Sequence, residues 1–192
     1  MKKNNLILFL SFLLFSFSLH AGNYTIYKMT DLDVSMLPPF CQVWHKGDTA
    51  ATDAWVEKLQ INNIHHVCKG LNHVNWATIS LNAQVIHYNV KSGIDEFKYV
   101  VDGSKGKSFP LKAFLLVNMA KLYAISSKFE EAVSVYKAAL EENPQFARAY
   151  ADLFDLYLKL KDQESAKQIL TEGLTHIPNS KLLLKRKKKL KN

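Results

Sequence analysis

The sequence predicts an all-α protein built as a stack of antiparallel helix hairpins, and three observations carry that expectation. Asn143-Pro144 recurs as Ile177-Pro178, a spacing of 34 residues. Small residues at Ala120, Ala132, Ala139 and Ala166 interrupt the apolar pattern where two helices of a hairpin need to approach closely. Apolar side chains at Ile64, Val67, Cys68, Leu71, Val74, Thr78, Leu81 and Val85 also follow helical intervals. With 192 residues, 48% hydrophobic and 22% charged, the chain can build a core and does not read as disordered.

The first residues are set apart from that fold. Lys2 and Lys3 precede an unbroken apolar and Ser run from Leu6 to Leu19, and the small residue Ala21 follows. This order reads as a signal peptide over residues 1–21, cleaved near Ala21. The run is shorter than the about 20 residues a bilayer span needs. No lipobox cysteine follows it, because the first cysteine is Cys41. The expected location is the periplasm or the cell exterior.

Residues 22–111 are expected to form an N-terminal head. Tyr24–Pro39 reads as an extended or irregular lead-in, and "DTAATDAWVEKLQ" as a short helix carrying Trp55 and Leu59. The periodic apolar stretch predicts one long helix from about Asn63 to Asn89, stopped near Lys91-Ser92-Gly93. A shorter helix, "IDEFKYVV", completes a degenerate first hairpin. "GSKGKS", residues 103–108, lacks the earlier Gly of a phosphate loop, since Val101 stands there, and reads as a connecting loop.

Residues 112–180 hold two repeats, about 113–146 and 147–180. Ser127 with Glu130 gives a capping-box signature for the second helix of the first repeat. Asp162 is placed to cap the second helix of the next. Pro144 and Pro178 cannot continue a helix and mark the breaks between hairpins. Residues 181–192 read as a basic capping helix, with Leu182, Leu183, Leu184 and Leu190 expected to pack on the last hairpin.

The repeat residues carry a resemblance. Tyr123, Ala132, Tyr136, Ala139 and Pro144 in the first unit, and Tyr150, Leu153, Tyr157, Ala166, Gly173 and Pro178 in the second, match the tetratricopeptide repeat pattern. Leu116 stands where that pattern prefers Trp, Met119-Ala120 where it prefers Leu-Gly, Phe154 where it prefers a small residue, and Leu170 where it prefers an aromatic. The resemblance covers about 80 of the 192 residues. It implies an α-solenoid that binds through a concave face lined by the first helix of each hairpin. Here that face would offer Phe114, Val117, Asn118, Lys121, Arg148, Asp152, Asp155 and Lys159. Some tetratricopeptide domains clamp a peptide C-terminal carboxylate with Lys, Asn and Arg. Asp152 and Asp155 are expected to repel such a group, which favours a mixed polar groove. The head, with "LPPFC" and "HHVCKGLNHVNWA", resembles that of some exported bacterial repeat proteins of unassigned role.

The run "NNIHHVCKGLNHVNWA" raises the question of a site. Cys68 lies on the apolar stripe, whereas His65 and His66 lie off it. In an oxidising compartment Cys41 and Cys68 read first as a disulfide, worth about 3 kcal/mol on the loop-entropy model. The alternative is a metal- or haem-handling protein using Cys41, His65, His66 and Cys68, although no Cys-x-x-Cys or Cys-x-x-Cys-His spacing supports it.

The last twelve residues hold seven basic groups and no acid, which leaves 16 basic and 17 acidic groups between Gly22 and Ser180. A near-neutral body of that kind predicts no nucleic-acid partner. Weak membrane-surface contact is a secondary reading of the tail. No catalytic triad, paired-carboxylate motif or Gly-rich cofactor loop is visible, and no cofactor is expected. The predicted function is a non-enzymatic scaffold or adaptor of the cell envelope that binds a protein or peptide segment. A second alternative is an accessory assembly factor for an envelope complex that docks through its head.

Overall fold

The computed structural model describes residues 29–190, all helix, turn and loop with no strand among them. The signal-peptide expectation for residues 1–21 lies outside the described residues. No helix of the described part is long and apolar enough to cross a membrane.

The head opens with two short helices, α1 (Asp31–Ser35) and α2 (Pro39–His45), followed by α3 (Thr49–Leu59). Where the lead-in was expected to be irregular, Thr30 and Asp33 form a reciprocal capping box. The Thr30 hydroxyl accepts from the Asp33 N–H at 3.2 Å, and the Asp33 carboxylate accepts from the Thr30 N–H at 2.8 Å. Asp33 is buried, and Trp76 Nε1–H donates to its other oxygen at 3.0 Å, which holds α1 against the helix that carries Trp76.

The single helix expected over 63–89 is two helices, α4 (Ile64–Ile79) and α5 (Ala83–Gly103). Ser80 turns to an extended backbone, and the Asn82 side chain accepts from the N–H groups of Gln84 and Val85. Short polar side chains that satisfy nearby amides compete with helix propagation, and here they end one helix and start the next. Leu81, counted in the apolar stripe, is fully exposed at that corner. Asn82→Ala is expected to destabilise the fold by about 1 kcal/mol in a urea titration. A shift near zero would mean that the corner is held by something else.

Gly93 was expected to stop a helix and instead lies inside α5. A Cβ there would stand 2.6 Å from Leu122 Cδ1 and 3.0 Å from His73 Cβ. The missing side chain is what lets three helices meet.

The repeats follow as α6 (Lys112–Ile125), α7 (Phe129–Glu142), α8 (Ala147–Lys159) and α9 (Gln163–His176), closed by α10 (Lys181–Lys189). The helices pair α4 with α5, α6 with α7 and α8 with α9. The pairs stack through α5–α6 and α7–α8, and α10 packs on α8 and α9. Ala120, Ala132, Ala139 and Ala166 are fully buried, as close helix approach requires. Leu115, Leu122, Tyr150, Leu153, Phe154 and Leu183 fill the core between the hairpins.

The turn between helices repeats with the same period. Ser127 and Lys161 both take left-handed backbone, each with φ of +61°. The next N–H in each case donates to a Tyr carbonyl, Lys128 to Tyr123 and Asp162 to Tyr157, both at 2.9 Å. Ser127 is therefore a turn residue and does not cap α7. The cap position falls to Lys128, which makes no side-chain cap bond. Asp162 does cap α9, accepting from the Ser165 N–H. In α10, Leu183 is buried and Leu182 and Leu190 pack partly against the core, whereas Leu184 is exposed.

Candidate functional site

The first helices of the stack, α6, α8 and α10, bring a band of charged side chains together. Arg148, Asp152 and Asp155 recur at i, i+4 and i+7 on α8 and so share one face. Arg148 Nε–H donates to Asp152 Oδ1 at 2.6 Å. Lys121 on α6 places its Nζ 3.6 Å from Asp152 Oδ2. On the other flank, Arg186 Nη2–H donates to Asp155 Oδ2 at 2.6 Å, and Lys189 Nζ to Asp155 Oδ1 at 3.3 Å.

Local electrostatics follow from these contacts. Burial lowers the Lys121 ammonium from its ordinary range, and the Asp152 charge opposes that fall. The hydrogen bond to Asp152 holds the Arg148 guanidinium in its charged form more firmly. Tyr136 on α7 is buried, which pushes its hydroxyl up, and the Asp152 charge adds to the effect.

Not all the expected face residues reach this band. Val117 is 1% exposed and Asn118 is buried, its Nδ2–H donating to the Phe114 carbonyl at 2.9 Å. Both belong to the core, because α6 is apolar around most of its circumference and is covered by α4, α5, α7 and α8. Phe114 is half-buried. Lys159 is exposed and stands 5.0 Å over the Phe129 ring, at the helix end. Lys121, Arg148, Asp152 and Asp155 do come together.

The sequence reading missed Arg186 and Lys189. Their signal was present in the period: 34 residues after Asp152 stands Arg186, and 34 after Asp155 stands Lys189. Helix α10 therefore occupies the first-helix position of a further hairpin and extends the same face by one helix.

In the head, Cys41 and Cys68 form the disulfide, with Cα atoms 5.4 Å apart and both residues fully buried. The metal or haem alternative thus loses both of its sulfur ligands. Among the described residues no group of three or more His, Cys, Asp or Glu side chains is placed to share an ion. His66 pairs with Glu96 on α5, and its ring lies 4.0 Å from that of Tyr99 and 4.2 Å from that of His65. Trp44 continues the row, 6.4 Å from His65 between centroids. Burial lowers the His65 imidazole, and the neighbouring His66 lowers it further. His73 Nδ1 is 2.7 Å from Asn89 Oδ1 and ties α4 to α5.

Stacked antiparallel hairpins, whose first helices share one charged face, define a helical-repeat protein of the solenoid class. The tetratricopeptide repeat family model matches residues 124–187, a third of the chain. A solved structure of a tetratricopeptide repeat protein from Parabacteroides merdae ATCC 43184 is similar at 21% identity, with a TM-score of 0.45. The likeness covers 75% of this chain and 53% of that one, so the chain spans about half of that protein's length. No curated protein matches the chain. Tetratricopeptide repeats generally mediate protein–protein interaction, and proteins built from them are typically scaffolds rather than enzymes.

Proposed function

We propose that this chain is a non-enzymatic interaction module of the bacterial cell envelope, periplasmic or secreted after cleavage near Ala21. It holds a protein or peptide segment on the face formed by α6, α8 and α10. The observation that carries this reading is the charged band shared by those three helices, preformed on a rigid stack. A preformed surface spends little ordering entropy on binding. Side chains on the first helices of three successive hairpin positions also fix the register of an extended partner. The Cys41–Cys68 bond supports the exported location, because such bonds persist in oxidising compartments.

The test compares partners recovered from an envelope extract by wild type and by Arg148→Glu with Lys189→Glu. Both side chains are about half exposed, so the reversal leaves the core intact. Loss of the recovered partners in the variant supports the face. An unchanged set removes it.

The assembly-factor reading has one observation in its favour, the row of Trp44, His65, His66 and Tyr99 rings on the head. Tyr99 is 55% exposed and leaves apolar ring surface for a partner. Trp44→Ala with Tyr99→Ala in the same pull-down is the matching test. Partners lost in that variant alone would place the docking surface on the head.

A further inference from the structure

The band on α6, α8 and α10 holds more positive charge than it neutralises. Four cations, Lys121, Arg148, Arg186 and Lys189, share two carboxylates, Asp152 and Asp155. Each carboxylate is flanked by two of them. Asp152 meets Lys121 from α6 and Arg148 from its own helix, and Asp155 meets Arg186 and Lys189 from α10. Asp155 and the Oδ1 of Asp152 accept hydrogen bonds within the chain, and the buried Oδ2 of Asp152 has the Lys121 charge 3.6 Å away without a hydrogen bond. The repulsion of a carboxylate ligand, expected while Asp152 and Asp155 were read as free, is cancelled at short range, and the band keeps an excess of two positive charges.

The cations still have donors to give. Arg148 reaches Asp152 through Nε, and its side chain is 52% exposed, so its two Nη groups stay available. Lys189 is 53% exposed and uses one of three ammonium protons. Lys121 lies beyond hydrogen-bond distance of Asp152 and is partly desolvated, which strengthens its attraction to an anion arriving from solvent.

We propose that the segment held on this face is an acidic peptide in extended form, whose carboxylates accept from Lys121, Arg148 and Lys189. The inference rests on the reading of that face as the binding surface. Lys121 Nζ and Lys189 Nζ stand 3.6 and 3.3 Å from carboxylates one turn apart on α8. Side chains three apart on a helix have Cβ atoms about 5–6 Å apart, so the two ammonium groups are separated by on the order of 10–15 Å. An extended chain advances about 3.3 Å per residue, which sets the two acidic positions about three or four residues apart. The exposed cations stand at two places, which suits a peptide with acids at two positions and neutral residues between them, whereas a phosphodiester backbone carries a charge at every nucleotide.

The experiment is fluorescence anisotropy on the purified protein with three probes. One is a labelled 16-residue peptide with two Glu pairs separated by three neutral residues. The second has Gln in place of Glu, and the third is a 16-nucleotide single-stranded DNA. The Glu peptide is expected to bind about tenfold or more tightly than the Gln peptide at low salt, with most of that preference lost near 0.5 M salt. Arg148→Gln with Lys189→Gln is expected to weaken Glu-peptide binding about tenfold, with the helical circular-dichroism signal kept at the assay temperature; a lower thermal midpoint is expected, because Asp152 loses its hydrogen bond from Arg148. Equal binding of the Glu and Gln peptides, or no effect of the double variant, overturns the proposal. DNA binding as tight as that of the Glu peptide and equally sensitive to the variant also overturns it, since the band would then be a general polyanion surface. If no peptide binds while Arg148→Glu with Lys189→Glu still loses its envelope partners, the acidic class is wrong and the face stands. If those partners are kept, the face itself falls.

Discussion

Phe97→Ala is expected to lower the unfolding free energy by about 3–5 kcal/mol, the range for emptying a fully buried aromatic site. The ring is completely buried at the centre of the first hairpin. It lies so close to α4 that a Cβ on Gly70 would stand 2.6 Å from its Cε1 atom and 2.9 Å from Cδ1. Glycine on one helix and phenylalanine on the other thus form a notch and its plug. Neighbouring side chains cannot fill the space, because the facing residue has none. The complementary change, Gly70→Ala, forces the ring to move and is expected to cost about 1–3 kcal/mol despite the better helix propensity of alanine. Urea titration followed by circular dichroism measures both. Stack stability is carried by contacts between neighbours, and α5 hands the hairpin on to α6 where Gly93 meets Leu122. Phe97→Ala should therefore weaken the docking of the head onto the repeats as well as the hairpin itself. A loss below about 1 kcal/mol would mean that α4 and α5 do not pack through this ring.

The repeats were legible in the sequence because their cause is periodic. Pro144 and Pro178, the buried alanines and the Asp162 cap are features that a single helix hairpin imposes on its own sequence. The errors fall where a local cue competed with a contact from elsewhere. Leu81 fits a helical apolar stripe, yet Ser80 and Asn82 bind the amides beside them and break the helix first. Gly93 has the composition of a stop signal, but its use is close approach to Leu122 and His73, residues far off in sequence. Ser127 satisfies the capping-box pattern by type, while the backbone needs it in the left-handed region to close the turn. Val117 was assigned to the binding face on the pattern of one helix. The number of neighbours around α6 decides its burial, and that number comes from the stack. The site was half legible. Lys121, Arg148, Asp152 and Asp155 were identified on α6 and α8, but α10 was read only as a soluble end, and its lysines only as solvation. Applying the 34-residue period once more would have found Arg186 and Lys189.

Opening the Cys41–Cys68 bond is expected to cost about 3–4 kcal/mol, because it releases a closed loop of nearly thirty residues in the unfolded chain. The loss should be local. The bond joins α2 to α4, whereas α6 to α10 lie further along the same continuous core and contain no cysteine. Helices α1 to α3 have little else to bind them. Phe40 and Leu37 are buried beside the disulfide, Trp76 holds Asp33, and α3 contributes Leu59 to the same cluster. Cys41→Ala with Cys68→Ala, or wild type in reductant, should thus show faster amide exchange over residues 31–59 while the repeats keep their protection. If exchange rises uniformly, the head and the repeats unfold as one unit. If it does not rise at all, the apolar contacts of α2 suffice without the bond. The same treatment separates the two docking surfaces. Reduction loosens Trp44 against His65 and so dissolves the row of rings on the head, but it leaves Lys121, Arg148 and Lys189 on helices that the disulfide does not touch. A partner held by the charged face should stay bound when the bond is opened, and a partner held by the head should leave with it.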